Sequence, residues 1–178
     1  MGSMQGQALS GKRIYSIGTS TRSLDEFISL LRHHGIETVV DVRSFPTSRF
    51  EHFRRDTLEK SLGECGFCYV YLGTELGGYR RGGYEKYLST PTYRKGVSKL
   101  AEIGGSSVTT FLCAERFPWR CHRRWIGNSL IREGWEVIHI VDERRTWRPN
   151  EFLPGTGGKR GKKMSREKQS LDILFFPI

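Results

Sequence analysis

The chain has 178 residues, of which 37% are hydrophobic, and a formal net charge of +10. This length suits one domain with a full hydrophobic core, and the positive charge favours an acidic partner such as a nucleic acid, a nucleotide or an anionic surface. The sequence has no apolar stretch near the roughly 20 residues that cross a bilayer and no signal-peptide pattern, so we expect a cytoplasmic protein without membrane contact. Four cysteines are too few for a disulfide scaffold.

Strand and helix patterns alternate along the chain. A capping box at Ser23 and Glu26 opens the first predicted helix, which ends at Gly35. Short runs of β-branched and aromatic residues predict strands over 13–17, 38–42, 68–72, 108–112 and 137–141. Further helices are predicted over 56–64, 92–103 and 121–132. This order predicts an α/β protein, a single three-layer domain with a mainly parallel sheet and helices on both faces.

The termini differ in composition from the centre of the chain. We expect residues 1–10 to be a tag and disordered N-terminus, 11–145 to be the α/β domain, and 146–178 to be a basic flexible tail with an apolar C-terminal end. From Arg144 onward the sequence has nine Lys or Arg and three Asp or Glu. This segment is either a basic arm that contacts phosphates or simply a solvated tail.

Four polar loops follow the first four predicted strands, and the richest of them covers residues 113–123, Cys-Ala-Glu-Arg-Phe-Pro-Trp-Arg-Cys-His-Arg. The carboxyl ends of parallel strands meet at one edge of a sheet, where ligands bind in α/β proteins. The sequence therefore predicts that these loops share one cleft at that edge.

The candidate catalytic residues are Asp41, Glu115 and His122. The carboxylates of Asp41 and Glu115, both at strand ends, can act one as general acid and the other as general base. They can equally serve only to hold Arg43, Arg116 or Arg123 in place. Cys113 beside His122 is a possible nucleophile, but its position directly after an apolar strand favours a buried, inert thiol.

Arginine, aromatic and glycine residues in the same loops predict a binding surface. Guanidinium groups suit phosphate oxygens, and aromatic rings suit the faces of unstacked bases. The glycine-rich segment around Tyr84 is either a closing element or a fixed turn. The predicted binding residues are Ser20, Arg22, Arg43, Arg49, Gly77, Gly78, Tyr84, Trp119 and Arg123, and other arginines expected around the cleft are Arg80, Arg81, Arg116, Arg120 and Arg124.

Metal and cofactor signals are weak in the sequence. Cys65 and Cys68 have Cys-x-x-Cys spacing, but they lie between a helix end and a strand start, whereas redox motifs of this kind follow a strand. A zinc site made of these two cysteines with Cys113 and Cys121 would have to span opposite edges of the sheet. The Cys-Ala-Glu string lacks the complete zinc deaminase pattern, and no dinucleotide fingerprint or Walker loop is present. We therefore expect no metal and no cofactor.

Four sequence motifs closely resemble the domain-of-unknown-function 488 family. They are Ile-Gly-x-Ser-x-Arg-Ser, Asp-Val-Arg-Ser-Phe-Pro-x-Ser-Arg, Leu-Gly-Gly, and Cys-Ala-Glu followed by Cys-His-Arg, and they span roughly residues 13–142. The chain departs from the family pattern at Thr19, where His is expected. The family is loosely associated with repair of chemically damaged DNA bases, so the resemblance implies a repair function.

The leading functional expectation is an enzyme acting on nucleic acid, most plausibly a DNA repair glycosylase that hydrolyses the N-glycosidic bond of a damaged or deaminated base. In this hypothesis Arg43, Arg49 and Arg123 hold phosphates while Asp41 or Glu115 positions water or stabilises the cationic sugar. Two alternatives stay open: a non-catalytic nucleic-acid-binding protein, and an enzyme acting on a nucleotide or another small phosphorylated substrate.

Overall fold

A computed structural model describes residues 11–149, and the elements alternate as the sequence predicts. The strands are β1 (Arg13–Gly18), β2 (Thr38–Asp41), β3 (Cys68–Tyr71), β4 (Thr109–Cys113), β5 (Glu136–Ile140) and β6 (Thr146–Trp147). The α-helices are α1 (Leu24–His33), α2 (Arg55–Glu64), α3 (Gly73–Leu76), α4 (Tyr84–Tyr87), α5 (Pro91–Ser106) and α6 (Arg123–Arg132). Short 3-10 turns cover Glu51–Phe53 and Pro118–Arg120.

One mixed sheet organises the domain, with strand order β3-β2-β4-β1-β5-β6. The first five strands of this order pair in parallel, and β6 pairs antiparallel with β5. The predicted α/β class with a mainly parallel sheet is confirmed. The sheet also extends to Thr146 and Trp147, two residues that the sequence had placed in the tail.

Two apolar cores lie on opposite faces of the sheet and give the expected three layers. Neighbouring strand residues alternate between them, because successive side chains of a strand point to opposite faces. Val40 packs with buried residues of α5 and α6, and Val39 packs with those of α1 and α2. The first core includes Ile14, Val97, Leu100, Phe111, Ile126 and Leu130, and the second includes Ile17, Phe27, Leu31, Leu58, Leu62 and Leu112.

Side-chain caps explain where the two best-defined helices begin. The Ser23 hydroxyl accepts a hydrogen bond from the Glu26 backbone N–H at 3.1 Å, which is one half of the predicted capping box, while the Glu26 carboxylate lies 3.2 Å from Arg22 Nε. At α5 the Thr90 hydroxyl accepts from the Tyr93 N–H at 3.2 Å, and Pro91 occupies the first turn, where its missing N–H costs nothing. Helix α5 therefore begins before the predicted start at Thr92.

Two sequence expectations differ from the structure in detail. Helix α6 begins at Arg123 rather than at Cys121, because Cys121 has extended backbone angles, φ −137° and ψ 170°. The glycine-rich segment after β3 is not a continuous loop, since it contains α3 and α4. The expectations for residues 1–10 and for the tail from residue 150 onward lie outside the described residues. Within 11–149 there is no helix with the length and apolar character needed to traverse a bilayer.

Candidate functional site

The polar loops that follow β1, β2 and β4 are joined to one another by hydrogen bonds. The backbone N–H of Thr19 donates to the Cys113 carbonyl at 2.8 Å, and that of Ser20 donates to the Ala114 carbonyl at 2.9 Å. His122 Nε2 lies 2.9 Å from the Val42 carbonyl oxygen. These contacts bring three of the four predicted loops together at the carboxyl edge of the sheet.

Asp41 and Arg43 form a buried ion pair at the end of β2. The side chains are 0% and 4% exposed, and Arg43 donates to the Asp41 carboxylate from its backbone N–H at 3.0 Å, from Nε at 2.9 Å and from a terminal nitrogen at 2.5 Å. The Tyr69 hydroxyl donates to the same carboxylate at 2.8 Å, and Arg43 also donates to the Phe53 carbonyl at 2.8 Å. This geometry favours the alternative in which Asp41 holds Arg43 in place, and it leaves Arg43 turned away from any phosphate in solution.

Arg22 is likewise buried, with 4% of its surface exposed. Its guanidinium donates to the carbonyls of Gly18 and Val141, and Nε lies 3.2 Å from the Glu26 carboxylate. Burial lowers the pKa of this guanidinium from its usual value. Arg22 therefore ties the loop after β1 to the end of β5 and does not reach the cleft described below.

Arg123, the first residue of α6, is fully buried, and its hydrogen bonds hold the loop of residues 113–123 in place. It donates to the Ser16 hydroxyl at 3.1 Å, to the Arg116 carbonyl at 3.2 Å and also to the Glu115 carbonyl. Its backbone N–H and its Nε both donate to the Cys121 sulfur at 3.3 Å. One cation thus satisfies carbonyl groups that the loop would otherwise leave unpaired.

Cys113, Cys121 and His122 form a compact cluster at the end of β4 and on the loop that follows it. The two sulfur atoms and one imidazole nitrogen all lie within 4.8 Å of one another, and Cys113 Sγ is 3.9 Å from His122 Nδ1. This cluster could hold a metal ion or carry out thiol chemistry. The sequence had suggested Cys113 beside His122 as a possible nucleophile and had compared Cys121 only with the distant Cys65 and Cys68, so the new feature is that Cys121 joins the pair.

The two thiols of the cluster differ in acidity. The pKa of the Cys113 thiol falls to about 6, mainly because Cys121 donates a hydrogen bond to its sulfur. The Arg123 charge and the backbone N–H groups of Glu115 and Ala114 lower it further. Together these effects outweigh burial, which raises the pKa. The pKa of Cys121 rises to about 12, since its proton is held by Cys113. The hydrogen bond between the two sulfurs therefore favours loss of the proton from Cys113 before loss of the proton from Cys121.

A cleft of about 610 Å³ opens beside the cluster, with Cys121 and His122 in its wall. Four of the predicted site residues line it: Gly78, Tyr84, Trp119 and His122. Its remaining lining residues are Tyr79, Arg120, Cys121, Arg124 and Trp125. Tyr79 and Trp119 are 71% and 43% exposed, so their rings are available to a ligand.

The cleft wall is held by contacts among its own residues. The Tyr84 ring lies 5.4 Å from the His122 ring, and its hydroxyl donates to the Leu76 carbonyl at 2.7 Å. Trp119 stacks on Phe117, with ring centres 5.0 Å apart. The Arg124 guanidinium lies over the Trp125 ring at 4.6 Å.

The other predicted site residues lie elsewhere. Glu115 is exposed on the loop and accepts a hydrogen bond from the Phe117 N–H at 3.4 Å. Arg49 is exposed and lies over the Phe50 ring at 4.7 Å. Gly77 permits a close approach, because a Cβ there would fall 2.3 Å from the Ser44 hydroxyl oxygen. Outside the cleft wall are Ser20, Arg22, Asp41, Arg43, Arg49, Gly77, Glu115 and Arg123.

Fold and site define an α/β protein with a thiol–imidazole cluster beside an aromatic, arginine-rich cleft. The profile of a family described as domain of unknown function DUF488 matches residues 23–130. The chain belongs to this family, as the resemblance in its motifs implied. Neither the curated proteins nor the solved structures include a match to the chain.

Proposed function

We propose that this protein is an enzyme acting on nucleic acid, and that the cleft holds an unstacked base. The supporting observation is the composition of the cleft wall, which combines exposed aromatic rings with the exposed guanidinium groups of Arg120 and Arg124. Aromatic faces bind bases by stacking, and guanidinium groups bind the phosphates that flank them. The net charge of +10 adds an attraction for polyanions that does not depend on sequence.

The reaction we assign to this cleft is removal of a damaged or deaminated base. Water attacks the anomeric carbon of the sugar, the N-glycosidic bond breaks, and the base leaves with the bonding electron pair and takes up the proton that the water loses. Glu115 is the better carboxylate for positioning water or stabilising the cationic sugar, because its side chain is exposed. Asp41 is fully buried, and its carboxylate already accepts four hydrogen bonds from Arg43 and one from Tyr69. Glu115 lies outside the cleft wall, on the loop that also holds Trp119 and His122, so in this proposal it acts on the sugar of a base stacked on Trp119 from outside the cleft.

Base release tests the reaction. Purified protein is incubated with oligonucleotides that contain hypoxanthine, xanthine, uracil or an oxidised base, and cleavage at the resulting abasic site is measured. We expect release of at least one of these bases and its loss in Glu115→Gln. The matched control Glu64→Gln removes an exposed carboxylate on α2 and should leave release unchanged. If none of the substrates is cleaved, the glycosylase assignment is wrong.

Binding tests the cleft separately from the reaction. Trp119→Ala and Arg120→Ala should each weaken binding of a fluorescent single-stranded oligonucleotide, the first by about 1–3 kcal/mol, the usual worth of base stacking on an aromatic ring. Lys60→Ala removes an exposed cation on α2 and serves as the control. Unchanged binding in both cleft variants would place the nucleic acid elsewhere on the protein.

Deletion of residues 152–166 distinguishes the alternative functions. A non-catalytic nucleic-acid-binding protein that uses the basic segment would lose most of its affinity on this deletion. An enzyme acting on a nucleotide or another small phosphorylated substrate would keep its turnover. The proposed enzyme should lose affinity for long DNA in low salt and still release the base from a short oligonucleotide at saturating concentration.

A further inference from the structure

We propose that Cys113, Cys121 and His122 form a zinc site with one coordination position open to the cleft. The inference goes beyond the proposed function, since it rests on the geometry of three side chains and does not involve nucleic acid. It differs from the expectation from the sequence that the protein has no metal site.

The spacing of the three ligand atoms suits a tetrahedral zinc ion. The atoms lie within 4.8 Å of one another, and the one separation resolved as a contact, from Cys113 Sγ to His122 Nδ1, is 3.9 Å. Zinc bonds of about 2.3 Å to sulfur and about 2.0 Å to nitrogen place tetrahedral ligand atoms roughly 3.5–4 Å apart. A contraction of less than an ångström would therefore complete the site, and two thiolates with an imidazole select zinc over magnesium or calcium.

The hydrogen bonding of His122 fixes the tautomer that a metal needs. Nε2 lies 2.9 Å from the Val42 carbonyl oxygen, which can only accept, so Nε2 carries the proton. In the neutral imidazole that binds a metal, Nδ1 then carries the lone pair, 3.9 Å from Cys113 Sγ. Metal-bound histidines almost always donate their other ring N–H to a carbonyl or a carboxylate, and here β2 supplies that acceptor.

Both sulfur atoms have N–H donors next to them, which would stabilise the charge on sulfur once a metal has displaced the proton. Cys121 accepts hydrogen bonds from the Arg123 backbone N–H and from Arg123 Nε, both at 3.3 Å. Cys113 is close to the backbone N–H groups of Ala114 and Glu115. Zinc would replace the proton that the two sulfurs share.

Access to the cluster comes from the cleft. Cys121 and His122 are partly exposed in its wall, whereas Cys113 is buried behind them. Gly78 borders the imidazole closely, because a Cβ at that position would lie 2.5 Å from His122 Nδ1. The absence of a side chain at Gly78 leaves Nδ1 free to bind a metal, and a site with three protein ligands keeps a position for water or substrate.

Zinc titration tests the proposal directly. The full chain is purified under reducing conditions, stripped with a chelator, and titrated with zinc in competition with a chromophoric chelator. We expect one tightly bound zinc per chain. Cobalt substituted for zinc should give the thiolate-to-metal charge-transfer band and the visible bands of tetrahedral cobalt.

Variants identify the ligands. Cys113→Ser, Cys121→Ser and His122→Ala should each weaken zinc affinity by at least about 100-fold, beyond the range typical of residues that only orient a ligand. The double variant Cys65→Ser, Cys68→Ser removes two thiols remote from the cluster and should bind zinc as the wild type does. Circular dichroism verifies that each variant is folded.

Two results would overturn the proposal. The first is a reduced wild-type protein with four titratable thiols that binds no zinc or cobalt. The second is zinc binding that is lost in the Cys65 and Cys68 double variant and kept in the three cluster variants. Both are independent of DNA binding and base release, so the zinc site and the proposed function can fail separately.

Discussion

Gly78 lies directly against the imidazole of His122, and a Cβ at Gly78 would fall 2.5 Å from Nδ1 and 2.9 Å from Cγ. His122 cannot easily move away, because Nε2 is held at 2.9 Å from the Val42 carbonyl and the Tyr84 ring lies 5.4 Å away. The glycine therefore sets the position of the ring.

Gly78→Ala should destabilise the protein by about 1–3 kcal/mol, the usual cost of forcing an extra methyl group into a packed site. Gly63→Ala is the control, because Gly63 lies in α2 with no atom within 4 Å of an added Cβ, and there alanine should stabilise by roughly 0.5–1 kcal/mol. Urea unfolding measures both. Equal effects of the same sign would contradict the close packing of Gly78 and His122.

Asp41→Asn should cost about 3–5 kcal/mol of unfolding free energy, because it leaves the Arg43 cation buried without its partner. Lys60→Ala breaks an exposed pair with Glu64 and should cost less than about 0.5 kcal/mol. Chemical unfolding measures the difference. An Asp41→Asn protein as stable as the wild type but unable to release a base would instead support the catalytic role inferred from the sequence.

Arg123→Lys should loosen the loop of residues 113–123. Lysine cannot reach the Ser16 hydroxyl, the Arg116 carbonyl and the Cys121 sulfur at once, since it lacks the planar fork of guanidinium donors. We expect faster reaction of the cluster thiols with a disulfide reagent and a lower unfolding midpoint. Arg124→Lys, at the next and exposed position, should change neither quantity.

His139 should make stability depend on pH. Burial, with a smaller contribution from Arg123, lowers its pKa to about 3, against about 6.5 in the unfolded chain. The folded state therefore holds a neutral imidazole while the unfolded state gains a proton below pH 6.5. Its contribution to stability is complete above pH 6.5 and is lost as the pH falls from 6.5 toward 3, by at most about 1.4 kcal/mol per pH unit.

Urea unfolding of wild type and His139→Asn between pH 7 and pH 4 isolates this contribution from that of the carboxylates. Asparagine can accept the hydrogen bond that Ser16 shares with Nδ1 at 2.5 Å, and it does not titrate. The difference between the two stability curves should shrink as the pH falls. Parallel curves would show that His139 does not titrate in this range.

The sequence predicted the layers of this fold well, because their signals are local. Each strand is a short β-branched run, and the Ser23 cap defines the start of α1. The sequence did not predict β6, because Thr146 and Trp147 form a strand only through their pairing with Ile140 and His139. Two consecutive residues carry no periodic pattern that could indicate a strand.

The candidate site was predicted in part, for the same reason. The convergence of polar loops follows from parallel strands, and Trp119 and His122, both named from the sequence, line the cleft. Which arginines face outward did not follow from the sequence. Arg123 is buried against Ser16, 107 residues away, and Arg43 against Asp41 and Phe53, whereas Arg120 and Arg124 remain exposed. The approach of Cys113 to Cys121 depends on the path of the intervening loop, which residue spacing does not reveal.

The central position of β1 has a consequence for synthesis. Its hydrogen-bonding partners are β4 and β5, which the ribosome produces about a hundred residues later, so β1 emerges with both edges unpaired. Proteins whose strands pair with partners distant in the sequence fold slowly. The nascent protein must keep its first strand from aggregating until nearly the whole described domain has left the exit tunnel.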